Sequence, residues 1–178
     1  TKRLQLLHEL VPRAVAIGFL VNPNNPNGNI EAKAAQAVAS SLGVEILVLN
    51  ASSESELDAA FASMARQQVG ALLGASDAFL AGRRDQIVAL AAQHRIPAIY
   101  YLREFVEAGG LISYGNRIPD AYHQVGIYVG RILKGEKPSD LPVQESVKFE
   151  LLINLKTAKT LGIDVPNSMQ LLADEVIE

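Results

Sequence analysis

Short apolar runs, each closed by glycine, proline or asparagine, alternate along the chain with stretches in which apolar side chains recur every three or four positions. Runs over 14–21, 44–49, 69–74, 98–101 and 111–114 predict strands. Their near-continuous Val, Ile, Leu and Ala content fits strands covered on both faces by helices. Between the first two, Ile30, Ala34, Ala37, Val38 and Leu42 form one helical stripe that Gly43 closes as a left-handed cap. Asn27 and Asn29 are candidates for capping the start of that helix near Ile30. Ser53 and Glu56 have the spacing of a capping box, and Leu57, Ala60, Phe61 and Met64 continue the helical repeat. A third helix is predicted over 79–94, after which Pro97 forces an extended entry into the fourth strand. Beyond the fifth strand, Ala121, Val125, Tyr128, Val129, Ile132 and Leu133 line one face of a helix ended by Gly135 and Pro138. The tail carries a proline-marked linker, "KPSDLPV", a strand-like "KFELLINL", and a short helix capped by Asn154 and ended by Gly162.

Strand and helix in alternation predict an α/β fold: a Rossmann-like three-layer lobe around a mainly parallel, five-stranded sheet. Such a sheet has one edge suited to ligands, where loops leave the carboxyl ends of the strands and meet helix N-termini. That edge comprises residues 22–25, 50–53, 75–78, 101–104 and 114–116. The asparagine and proline run in "FLVNPNNPNGNIEAKAA" therefore lies on it.

Composition narrows the chemistry the edge can perform. Net charge is -3 over 178 residues and the basic side chains are scattered, leaving no basic face for nucleic acid. Without cysteine there are no disulfides or thiolate metal sites, and His8, His94 and His123 have no metal-ligand spacing, so no metal is expected. No apolar run approaches the roughly 20 residues of a membrane-spanning helix.

Gly74-Ala75-Ser76 lies on a strand-to-helix turn like that of a hydrolase nucleophile, but Ala78 occupies the place of the second glycine and no histidine falls on an edge loop. Asp77 has the position of a phospho-acceptor, yet Asn22 and Tyr114 stand where that chemistry needs carboxylates and a lysine. "GGLISYG" matches neither dinucleotide nor P-loop glycine patterns, so no cofactor is expected. What remains is an edge of amides, hydroxyls and phenols with one acid, Asp77, and a charged pair at Arg103 and Glu104. This suits reversible capture of a small polar or zwitterionic molecule, whose carboxylate meets amides and N–H groups and whose ammonium meets an aspartate.

The segments "KRLQLLHELVP", "FLVNPNNP", "RRDQIVALAAQHRIPAIY", "REFVEAGGLISYG", "GRILKGEKPSDLPV", "LPVQESVKFELLINLKTAKTLGI" and "ADEVIE", in this order, resemble the substrate-binding proteins of bacterial ABC transporters, in particular the group related to tryptophan and tyrosine uptake. The resemblance implies a periplasmic binding protein type I fold, a location in the periplasm or on a lipid anchor outside the cell, a membrane permease as partner, and no catalysis. It also implies a chain about twice as long, with a first lobe that is absent here. On that expectation residues 1–110 form the second ligand-binding lobe, 111–140 cross to the first lobe, and 141–178 rejoin the second.

The ligand, with an aromatic amino acid as the class the group implies, would sit between lobes. Candidate contacts are Asn22 and Asn24 as amide donors, Ser76 and Asp77 at the third helix's start, and Tyr100 or Tyr101 as a packing surface. Alternation along a strand lets only one of these tyrosines reach the cleft. Tyr114 is a further candidate, for ligand contact or for the hinge. The apolar stripe on helix 120–134 would pack on the first lobe, so in this chain alone it predicts self-association. Two other readings stay open at this point: a serine hydrolase using Ser76, and the effector-sensing domain of a transcription regulator.

Overall fold

The computed structural model describes residues 2–143 and 148–178; residues 144–147, inside the "LPVQESVKFELLINLKTAKTLGI" segment, lie outside the described residues. The strands are β1 (Ala16–Val21), β2 (Glu45–Asn50), β3 (Ala71–Gly74), β4 (Ala98–Tyr100), β5 (Ile112–Asn116), β6 (Phe149–Asn154) and β7 (Glu175–Ile177). They form one seven-stranded sheet in the order β2-β1-β3-β4-β5-β6-β7. Strands β1 to β5 are parallel, β6 runs antiparallel to β5, and β7 is parallel to β6. The sheet is thus two strands wider than the five-stranded expectation, because the C-terminal segment adds both to the β5 edge. With three residues, one exposed and two half-buried, β7 is too short to show a period in sequence.

The helices are α1 (Lys2–Leu10), α2 (Pro26–Leu42), α3 (Glu54–Arg66), α4 (Ala78–Gly82), α5 (Arg84–Gln93), α6 (Arg103–Glu107), α7 (Ile118–Leu133), α8 (Leu155–Leu161) and α9 (Asn167–Leu172). Chain direction assigns most of them to layers. The crossover from β1 to β2 runs one way along the sheet and those from β2 to β3 to β4 run the other, so right-handed connections place α2 opposite α3 and α5. Helix α1 packs with α2, and Leu4, Leu7 and Leu10 on its inner face are buried. On the other face α3, α5 and α6 pack in sequence, with Leu57, Phe61 and Met64 closed over the sheet.

Local chemistry sets the ends. Helix α2 starts at Pro26, whose fixed φ suits a first helical position, and its cap is Asn25, whose side chain accepts from the Asn27 N–H at 3.0 Å. Asn27 and Asn29 are inside the helix and do not cap it. Gly43 (φ 69°) and Gly162 (φ 72°) adopt the left-handed conformation expected of helix-ending glycines. Asn154 caps α8 by accepting from Thr157 at 3.1 Å. Ser53 caps α3, but the Glu56 carboxylate closes on the N–H and hydroxyl of Ser52 rather than on Ser53. The helix predicted over 79–94 is broken at Arg83 (φ −109°, ψ 18°), directly after Gly82, which divides it into α4 and α5.

Helix α7 differs from the rest in having no buried residue. Val125, Val129, Ile132 and Leu133 on its apolar stripe are 57%, 48%, 39% and 82% exposed.

Candidate functional site

The sheet reverses its winding between β1 and β3, the place where open α/β sheets take ligands, and the loops leaving these two strands are tied together at their carboxyl ends. Asp77 is the brace. It is 7% exposed and caps α4, its Oδ1 accepting from the Leu80 N–H at 3.0 Å. The Asn22 side-chain amide donates to both carboxylate oxygens, at 3.3 and 3.2 Å, and the Asn25 amide donates to Oδ2 at 2.9 Å. Asn22 in turn accepts from the Asn24 N–H at 3.0 Å. Asparagines after β1 are thus locked onto the aspartate after β3, which holds the two loops in register.

A second set of contacts ties α1 to the same loops. The Arg3 guanidinium donates to the Gly74 carbonyl, to Glu31 at 3.1 Å and to the Ser76 hydroxyl at 3.3 Å, while the Ser76 N–H donates to Glu31 at 3.2 Å. Burial pulls the Arg3 pKa below its ordinary value, and the neighbouring Glu31 carboxylate opposes the shift. Tyr101 completes the frame: its hydroxyl donates to the Asp77 carbonyl at 2.7 Å, and burial raises the phenol's pKa.

Beside this frame, at the carboxyl ends of β3 to β5 and the start of β6, an open crevice encloses a cavity of about 470 Å³. Ser76, Tyr101, Leu102, Tyr114, Gly115, Asn116, Ile118 and Phe149 line it, together with Lys2 and Arg3 at the start of α1. Tyr114 and Phe149 stack with ring centroids 5.4 Å apart and planes 10° from parallel. The surface thus combines aromatic rings with a hydroxyl and cationic side chains. Among the described residues no group of three or more His, Cys, Asp or Glu side chains could hold a metal ion.

Of the residues singled out in sequence, Ser76, Tyr101 and Tyr114 share the cavity. Asn22 and Asp77 stand behind it with their polar atoms bonded to each other and to the loops. Asn24 is exposed on the β1 loop. Tyr100 is 2% exposed and faces the core, stacked on Phe105 at 4.4 Å, so Tyr101 is the tyrosine on the crevice side.

The charged pair expected between Arg103 and Glu104 does not form. Arg103 instead bonds Glu107 at 2.8 Å, Glu150 at 3.0 Å and Glu175 at 2.7 Å, because the antiparallel β6 and the short β7 bring two acids beside α6. The hydrogen bonds that Arg103 donates to Glu107 and Glu175 raise its pKa. The Ser76 hydroxyl accepts from Arg3, and among the described residues no histidine bonds to it.

Sequence reasoning missed Arg3, Lys2, Glu31 and Phe149, while Asn25 and Asn116 lay on the predicted edge without being singled out. Arg3 and Lys2 precede the Leu4, Leu7, Leu10 stripe, and nothing local says that the start of α1 opens onto the strand ends. Phe149 carried a usable signal, since a large aromatic opens a strand just after a linker, but its place depends on β6 running backwards.

The architecture is that of a periplasmic binding protein of type I. The chain belongs to the ABC transporter substrate binding protein family, whose model matches residues 1–177. A curated relative, a tyrosine-binding protein of Clostridioides difficile (strain R20291), is 25% identical over 162 residues, which are 91% of this chain and 47% of that protein. An ABC domain from Streptococcus pneumonia solved in complex with L-Trp is 27% identical with a TM-score of 0.88, covering 99% of this chain and 61% of that one. A conserved domain protein from Vibrio cholerae superposes with a TM-score of 0.89 at 24% identity, over 98% of this chain and 59% of that chain. The chain thus spans about half the length of its curated relative and three-fifths of these solved ones.

Proposed function

We propose that this chain is the second ligand-binding lobe, with its crossing segments, of the solute-binding component of an ABC importer, and that the solute is an aromatic amino acid. The observation that carries the reading is the cavity at the carboxyl ends of β3 to β5, which Tyr101 and the stacked Tyr114 and Phe149 line together with Lys2 and Arg3. The tyrosine-binding relative and the L-Trp complex support the ligand class. Residues 1–110 together with β5 act as the lobe, the chain after Asn116 crosses to a first lobe, and 141–178 return. Ser76, Tyr101 and Tyr114 contact ligand, while Asn22 and Asp77 hold the loops. The mechanism is capture without chemistry outside the cytoplasm: ligand favours the closed arrangement of two lobes, which is presented to a membrane permease.

The test is thermal unfolding of the full-length protein with L-Trp, L-Tyr and L-Phe against sugars and purines. An aromatic amino acid at about a hundred times its Kd should add about 2.7 kcal/mol, and Tyr101→Ala should remove that gain. Stabilisation by a sugar or purine with none by amino acids would sink the ligand assignment.

The bare stripe on α7 is the surface this reading assigns to the first lobe. Expressed alone, the chain described here should sediment as a dimer or larger species, and Val129→Glu with Leu133→Glu should return it to monomer. A monodisperse monomer at high concentration would contradict this.

A further inference from the structure

We propose a second small-molecule site, on the edge of the sheet opposite the crevice, that takes a small monocarboxylic acid with an apolar body. A cavity of about 260 Å³ opens there between α5 and α8, where β4 and β5 begin. Val88, Ala91, Ala98 and Leu161 give it apolar walls, and Arg95 and Lys156 also line it. The hydroxyls nearby are already used, since Thr157 donates to the Gly109 carbonyl at 2.8 Å and Thr160 to the Lys156 carbonyl at 2.9 Å.

Three polar groups are left over. Arg95 and Lys156 are exposed and make no ion pair among the described residues. The third is Tyr100, which also lines the cavity and whose buried hydroxyl has no hydrogen-bond partner among the described residues. Arg95 is also the residue that ends α5 in the left-handed conformation, at φ 54°, with the Ile96 N–H returning to the Ala91 carbonyl at 2.9 Å. Glycine is the usual residue for that geometry, and here an arginine holds a cation beside the cavity instead.

The walls and the cations together select the ligand class. A branched or short aliphatic chain fills the apolar interior, and its carboxylate stays at the wet margin with Arg95 and Lys156. An amine of the same shape meets two like charges. The site is separate from the crevice: Tyr100 lines this cavity and Tyr101 lines the other, with Phe105 touching both rings.

The experiment is amide chemical-shift mapping of this chain titrated with 4-methylpentanoate, and with 4-methylpentylamine as the control. The acid is expected to bind with a Kd of about 1 mM or tighter, as its size allows, and to move the amides of Arg95, Gly110 and Thr157. Lys156→Glu and Arg95→Gly should each weaken it about fivefold, the value of one exposed charge pair. Arg95→Gly relieves the left-handed backbone, so its loss of affinity cannot come from unfolding. Ala91→Trp should abolish binding by filling the cavity. Absence of binding, equal binding of the amine, unchanged affinity in both charge variants, or shifts confined to Ser76 and Gly115 would each overturn the proposal.

Discussion

Replacing Gly115 by alanine should lower the stability of the chain by about 3 kcal/mol, near the top of the range for overpacking, and lower Tm by roughly 10 °C. A Cβ at this position would lie 1.8 Å from the Tyr101 carbonyl oxygen and 2.8 Å from its carbonyl carbon. The obstruction is backbone, so no rotamer change relieves it. Strand β5 cannot slide away freely, because Gly115 is paired with Glu150 in the antiparallel ladder to β6. The strain should therefore fall on the Tyr101 loop, which carries the base of the cavity, and ligand-induced stabilisation should be lost along with intrinsic stability. Gly126→Ala is the control: nothing lies within 4 Å of a Cβ there, and alanine favours the helix by about 1 kcal/mol. Melting curves of the two variants that coincide with the parent's would refute the steric account.

Asp77→Ala should cost about 3 kcal/mol by urea unfolding. Loss of the α4 cap accounts for about 1 kcal/mol, and the Asn22 and Asn25 amides, deprived of their acceptor, account for the rest. Asp77→Asn keeps an oxygen for Leu80 but presents an amide to other amides, so it should recover only part of the loss. The double variant with Asn22→Ala distinguishes this network from independent contacts, since its cost should fall short of the sum of the single costs by about 1 kcal/mol. Additive costs would mean that the two loops are held by something else.

The parts of this fold that were readable from sequence are those fixed by local chemistry. Buried parallel strands show as unbroken apolar runs, and Gly43, Gly162, Ser53 and Asn154 mark helix ends because each does a job that few residues can do. The misses depend on tertiary placement. Asn25 displaced Asn27 and Asn29 as the cap because Pro26 started the helix earlier than the apolar stripe did. Helix α6 is a five-residue piece, too short for a period to appear, and its Arg103 found partners on strands far along the chain.

At the site, Ser76 and Tyr101 follow from topology alone, since residues just past parallel strands must gather at one edge, and Tyr114 reaches the same edge from within β5, which runs on to Asn116. Arg3 and Phe149 escaped because they reach that edge from a leading helix and a reversed strand. Asp77 and Asn22 were recognised as polar edge residues, but only the coordinates show that they bond to each other.

The reversal of β6 has a mechanical consequence. The chain leaves the sheet for α7 at Asn116 and comes back at Phe149, and these two residues are partners in the same ladder. Exit and return therefore lie side by side, joined at Asn116 and Phe149 and again where the Arg117 N–H donates to the Lys148 carbonyl at 3.2 Å, and the first of these rungs lines the cavity. On the proposed two-lobe reading, a swing of α7 would turn about residues that also line the cavity. Filling the cavity and stiffening the pivot would then be one event.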